Sequence, residues 1–150
     1  LFMQQPIISN SKTGDLLRLH PVEPDLLDLL GGISTYKIEY TSVDPDDSTV
    51  SATAFVAFPF VQRGSPFNIV AFAHGTSSIF RSCAPSTSSS LHDYDTVIPL
   101  LSSGYVVVGT DYACLGNNYT SLEYTSARAN GIKCKICRCC FYDAIRSGRR

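Results

Sequence analysis

The stretch that most constrains this chain runs from Phe67 to Thr76. Ile69, Val70, Ala71, Phe72 and Ala73 form an unbroken apolar run, the pattern of a strand covered on both faces. Within one residue the character changes to His74-Gly75-Thr76-Ser77-Ser78. Such a corner, at the carboxyl edge of a parallel sheet, is where open α/β folds place their chemistry. Gly75 allows close approach of the backbone to a substrate, or a positive φ, and the amides after it can point into a site.

A second corner of the same kind follows. Tyr105 to Gly109 is a β-branched run suited to a buried strand, and it ends in Thr110-Asp111-Tyr112-Ala113-Cys114-Leu115-Gly116. Between the corners, a polar loop over 79–90 leads into an amphipathic helix over 91–103. Leu91, Tyr94, Val97, Ile98 and Leu101 recur at helical spacing, Ser89 or Ser90 is placed to cap the start, and Gly104 stops it. Pro99 inside that helix is expected to kink or shorten it. Strand, helix, strand makes a βαβ unit, so the two strands should be parallel with a right-handed crossover. Both corners then lie at one edge of the sheet.

Upstream the pattern is antiparallel. Tyr36, Ile38 and Tyr40 alternate with Lys37, Glu39 and Thr41, and Asp44-Pro45-Asp46-Asp47-Ser48 makes a turn into a second strand over 49–60. Residues 1–32, punctuated by Pro6, Pro21, Pro24 and Gly31-Gly32, read as an irregular segment with at most a helical turn or two at 24–30. Past Gly116 the expectation is a polar loop, a short helix near 122–129, and helical character again over 141–146. The fold class is therefore α/β: antiparallel first strands, then a parallel βαβ unit, forming an incomplete sheet.

Composition removes some functions. A net charge of −1 without blocks of like charge lacks the footprint of a nucleic-acid binder. No apolar run approaches the ~18 residues of a membrane span. The chain begins at Leu1 without a charged and apolar leader, which suggests a removed signal or a fragment. Four of the six cysteines crowd into Cys134, Cys137, Cys139 and Cys140. Zinc sites favour separated ligand pairs, and four thiols so close reach one ion only through a tight knuckle, so neither metal nor cofactor is expected.

Several stretches in order resemble the α/β-hydrolase superfamily, in particular its fungal secretory lipases and their bacterial relatives. They are Tyr40-Thr41-Ser42, His74-Gly75-Thr76, Cys83-Ala84-Pro85-Ser86, Gly104-Tyr105-Val106-Val107-Val108, Asp111-Tyr112 with Leu115-Gly116, and Phe141 to Arg146. The resemblance implies a secreted esterase or lipase acting on an ester or lipid through a Ser-Asp-His triad, the serine lying in a G-x-S-x-G elbow. No G-x-S-x-G occurs in these 150 residues. Residues 33–150 are thus expected to be an incomplete α/β-hydrolase domain ending before the elbow, with no triad member and no hydrolase activity alone. The run Ile132 to Cys140 stands out as an insertion or misread stretch. The alternative is a non-catalytic binding module, with the strand at 105–110 left as an apolar edge for association.

The candidate oxyanion wall is Gly75, Thr76 and Asp111. The resemblance places an aspartate there, while its own chemistry equally suits pinning the loop through backbone amides. His74 sits before any elbow, so it braces the loop rather than serving as triad base. His20 and His92 are expected to be surface or structural, and the serines of 77–90 loop or cap residues. Cys83 has two open pairings, a bond within this chain or one to a later cysteine. Asn118-Tyr119-Thr120 is a glycosylation sequon.

Overall fold

The computed structural model describes residues 8–29, 31–61, 67–117 and 127–146. Its five strands are β1 (Leu16–Val22), β2 (Ser34–Val43), β3 (Thr49–Phe58), β4 (Ile69–Phe72) and β5 (Val106–Thr110). They form one sheet in the order β1-β2-β3-β5-β4. All neighbours are antiparallel except β4 and β5, which run parallel. Helices α1 (Tyr94–Ser102) and α2 (Ala127–Arg146) cover opposite faces.

The period-two reading of β2 places Ile38 and Tyr40 on one face, where they meet Ala52, Ala54, Val56, Val106 and Val108 beneath Cys137, Cys140 and Phe141 of α2. On the other face Phe55, Ala57, Phe72 and Val107 pack against Leu91, Val97, Ile98 and Leu101. Large apolar side chains with no exposure, such as Phe55, each contribute roughly 1.5–3 kcal/mol of burial. The sheet is thus sandwiched between two helical layers.

Four expectations change. Residues 1–32 are not irregular throughout: β1 pairs with β2 as an edge strand, with a register irregularity between Leu16 and Arg18. Pro21 is tolerated there because an edge strand needs no amide on its outer side. The exposed edge is not the strand at 105–110. The crossover places β5 between β4 and β3, and all five of its residues are buried. The edge falls instead to β4, where Ile69, Val70 and Ala71 are only half-buried.

The first helix begins at Tyr94, three residues later than expected. Its cap is Asp93, whose carboxylate accepts from the Thr96 amide at 3.2 Å, because Leu91 and His92 hold left-handed φ values of 53° and 72°. Pro99 does not stop it. Finally, helical character does not first return at 141, since the cysteine-rich run forms the middle of the 20-residue helix α2.

Candidate active-site crevice

The loop after β4 leads to α1 on one face, and the loop after β5 leads to α2 on the other. Between two parallel strands whose exits diverge in this way, the carboxyl ends leave a crevice, the place where open α/β sheets bind ligands. His74, Gly75 and Thr76 follow the carboxyl end of β4, and Asp111 and Tyr112 follow that of β5.

The two corners touch. The Tyr112 ring stacks on His74 at 4.0 Å between centroids and 22° between planes. Its hydroxyl donates to the His74 carbonyl at 2.8 Å. The His74 ring is buried, and its Nδ1 lies 2.6 Å from the Gly75 carbonyl. Burial pushes the His74 imidazole below its ordinary value; the Gly75 carbonyl and Asp111 oppose this, and His92 adds to it. His74 is thus tied to its own corner through Nδ1 and to the second corner through its ring and carbonyl. Gly75 and Thr76 are exposed at the crevice. Gly75 does not have a left-handed φ, and a β-carbon there would meet nothing within 4 Å. Neither a left-handed backbone nor lack of space for a β-carbon thus requires a glycine at this position.

Asp111 is 1% exposed, and its polar groups are engaged from within. Its amide donates to the Thr53 carbonyl at 2.8 Å. Its carboxylate accepts from Thr53 Oγ1 at 2.6 Å, Ser86 Oγ at 2.6 Å and the Ser86 amide at 3.0 Å. Burial raises its pKa, and the donations from Ser86 and Thr53 oppose that shift. These bonds fasten the loop over 84–87 and the end of β5 to β3. The Gly116 amide adds a 3.1 Å bond to the Arg81 carbonyl, joining the two loops again.

Sequence reading missed three residues of this arrangement. Thr53 had no distinguishing context, since its partner lies 58 residues away, and Ser86, read as a loop or cap serine, meets its partner 25 residues on. Tyr112 was quoted in the resemblance but given no part, although an aromatic beside the second corner could have been tested against the first. His92, expected to be surface or structural, has its ring edge-on to His74 at 5.3 Å. His20 is exposed on β1. Cys83 is a half-buried free thiol, and Cys114 is half-buried. Cys137 and Cys140 are buried, and burial raises both thiols, Cys140 to about 12, so they stay protonated and pack as small apolar side chains. Among the described residues no three His, Cys, Asp or Glu side chains converge as metal ligands. The Asn118 sequon lies outside the described residues.

No protein-family description and no curated protein sequence matches the chain. Solved structures do. Candida antarctica lipase A superposes with a TM-score of 0.77 at 18% identity, over 97% of this chain and 35% of that one. The rice cell wall degrading esterase LipA of Xanthomonas oryzae gives a TM-score of 0.69 at 20% identity, over 91% of this chain and 39% of that one. The fold is that of the α/β-hydrolases. The chain accounts for 35% and 39% of the length of these two hydrolases, so it corresponds to part of their fold. No helix among the described residues is long and apolar enough to cross a membrane.

Proposed function

We propose that this chain forms the oxyanion wall of a secreted carboxylic ester hydrolase of the lipase or esterase kind. The observation that carries the proposal is the contact of the two corners at the crevice between β4 and β5, on a fold shared with a lipase and an esterase. In acyl transfer the carbonyl oxygen gains negative charge, and each preorganised amide there stabilises the transition state by roughly 3–4 kcal/mol. The Gly75 and Thr76 amides are the donors in this reading. Asp111 acts by holding the opposite wall, its own amide and carboxylate being engaged. The serine, acid and base of the reaction are supplied by residues other than these 150. Secretion fits the sequon at Asn118.

Two experiments test this. The purified 150-residue chain should not hydrolyse a short-chain nitrophenyl ester, and turnover abolished by a serine-directed phosphonate would overturn the assignment. In a longer protein that carries the nucleophile, Gly75→Ala should lower kcat about a hundredfold. Because the added methyl meets nothing within 4 Å in this fold, the melting temperature should not fall. A kcat within about twofold of the parent would make the corner scaffold.

One observation favours the second reading, an association module. The open edge β4 is short and apolar, without the proline and register irregularity that blunt β1. A groove of about 660 Å³ runs between it and α2, floored by Ala71, Ala73 and Gly131. A monodisperse monomer at high concentration in size-exclusion chromatography would argue against this reading.

A further inference from the structure

Three rings meet at the crevice: His92 edge-on to His74, and His74 stacked on Tyr112. Two carbonyls of the corner are tied to this stack. Tyr112 Oη donates to the His74 carbonyl at 2.8 Å, and His74 Nδ1 lies 2.6 Å from the Gly75 carbonyl. A carbonyl only accepts, so the Nδ1 carries the proton. Each peptide unit is planar and trans, with its C=O and the following N–H pointing in opposite directions. Fixing the His74 carbonyl therefore aims the Gly75 amide, and fixing the Gly75 carbonyl aims the Thr76 amide.

We propose that Tyr112 and a neutral, Nδ1-protonated His74 are positioning residues that set the direction of the Gly75 and Thr76 amides toward the acyl oxygen of the substrate. The proposal deepens the ester hydrolase reading and rests on it. Neither side chain is required to touch the reacting atoms. The geometry also fixes what acid does. Nε2 is left as an acceptor, buried and without a hydrogen-bond partner. The ionisable groups facing the ring are Asp111, His92 and Tyr112, with Cys134 beyond Tyr112. The Asp111 carboxylate is already engaged by Thr53 and Ser86. A proton on Nε2 thus places a charge in a buried slot, which favours release of the ring to water and loosening of both peptides. Burial holds the His74 pKa below its ordinary 6.5, so the corner is intact at neutral pH and loosens as the pH falls through that lowered value.

The test begins on the 150-residue chain, with nitrogen-15 NMR of its histidines and backbone amides. His74 should appear as the Nδ1–H tautomer at pH 7. Tyr112→Phe, which keeps the ring and removes the hydroxyl, should shift the Gly75 and Thr76 amide signals, since it removes the bond that fixes the His74 carbonyl. An Nε2–H tautomer, or unmoved amides in Tyr112→Phe, overturns the proposal. In the longer protein with its nucleophile, the same variant should lower kcat about tenfold at constant KM. Unchanged kcat with shifted amides overturns the positioning role alone. Absence of esterase activity in the unsubstituted longer protein instead refutes the hydrolase reading, and the proposal falls with it.

Discussion

Gly116→Ala is the substitution whose cost follows most directly from the packing around it. Gly116 has φ +75°, a conformation that costs a residue with a β-carbon about 1–2 kcal/mol. The added methyl would overlap Thr53 Oγ1 and lie 2.7 Å from Asp111 Oδ2. Those two atoms share a 2.6 Å hydrogen bond between residues that are 2% and 1% exposed, so neither can retreat into water. Forcing them apart forfeits a bond to a buried carboxylate, about 1.5–3 kcal/mol. Together the loss is about 3–5 kcal/mol, on the order of 10 °C in Tm for a chain of this size. Urea denaturation followed by circular dichroism measures it. The steric part should shrink in a Thr53→Ala background, where the nearer obstacle is gone. Gly75→Ala is the internal control, expected to be neutral or stabilising by about 0.4–1 kcal/mol through the unfolded chain. A Gly116→Ala cost under about 1 kcal/mol, or equal costs at the two glycines, would refute the reasoning.

Three further outcomes follow from buried groups. Tyr40→Phe removes bonds of 2.7 Å to Thr110 Oγ1 and 3.0 Å to the Lys133 carbonyl, a junction of β2, β5 and α2; denaturation should show a loss of about 1–3 kcal/mol. Glu39 is fully buried, with Arg18 Nη1 3.4 Å from its carboxylate, and burial raises its pKa against the smaller opposing effects of Ser51 and Arg18. Its folded form thus binds the proton more readily than the unfolded chain, so stability falls as pH rises from about 4.5 through the folded pKa. Glu39→Gln should flatten that slope and leave stability at pH 7 unchanged or higher, and a steeper slope in the variant would contradict it. Iodoacetamide at neutral pH should label the exposed Cys139 in the native chain, while Cys137 and Cys140 react only on unfolding, as mass spectrometry of peptides would show.

Much of the fold was legible because local pattern and final environment agree. The alternation of Tyr36, Ile38 and Tyr40 survives as one face of β2, and the two apolar runs became parallel β4 and β5. Which of those runs is the edge was not legible. Four apolar residues look the same half-covered or fully covered, and only the direction of the crossover separates them. β1 was hidden by Pro21 and by a register irregularity that breaks its alternation. α2 was hidden by chemistry. Ala129, Lys133, Cys137, Cys140 and Phe141 are its buried positions at helical spacing, but two are thiols and one is a lysine. The lysine is accommodated by Asp44, 89 residues earlier and 2.7 Å away, a pairing that no local window contains. At the crevice the same division holds: the corners were visible as composition, whereas the bonds that join them depend on the sheet order.

Asp111 offers a way to separate the charge at the crevice from the scaffold. Its Oδ1 accepts from the Ser86 amide, and its Oδ2 from two hydroxyls, Thr53 and Ser86. In Asp111→Asn the side-chain oxygen can keep the amide. The new NH2 then faces two hydroxyls, which can rotate to accept. The fastening should survive, at a cost of about 1 kcal/mol. Asp111→Ala strips the Ser86 amide and hydroxyl of their acceptor and leaves Thr53 Oγ1 only its 3.4 Å bond to the Leu115 carbonyl, which should cost about 3 kcal/mol or more. The carboxylate also acts on His74, raising its pKa against the effect of burial. Asparagine removes that charge while keeping the contacts, so the His74 titration should move further down in pH. The asparagine variant should therefore have near-normal stability and a more easily deprotonated His74, two readouts that do not share a cause. If asparagine destabilises as much as alanine, the carboxylate is needed for its charge. If the His74 titration stays where it was, Asp111 and His74 are not electrostatically coupled across the crevice.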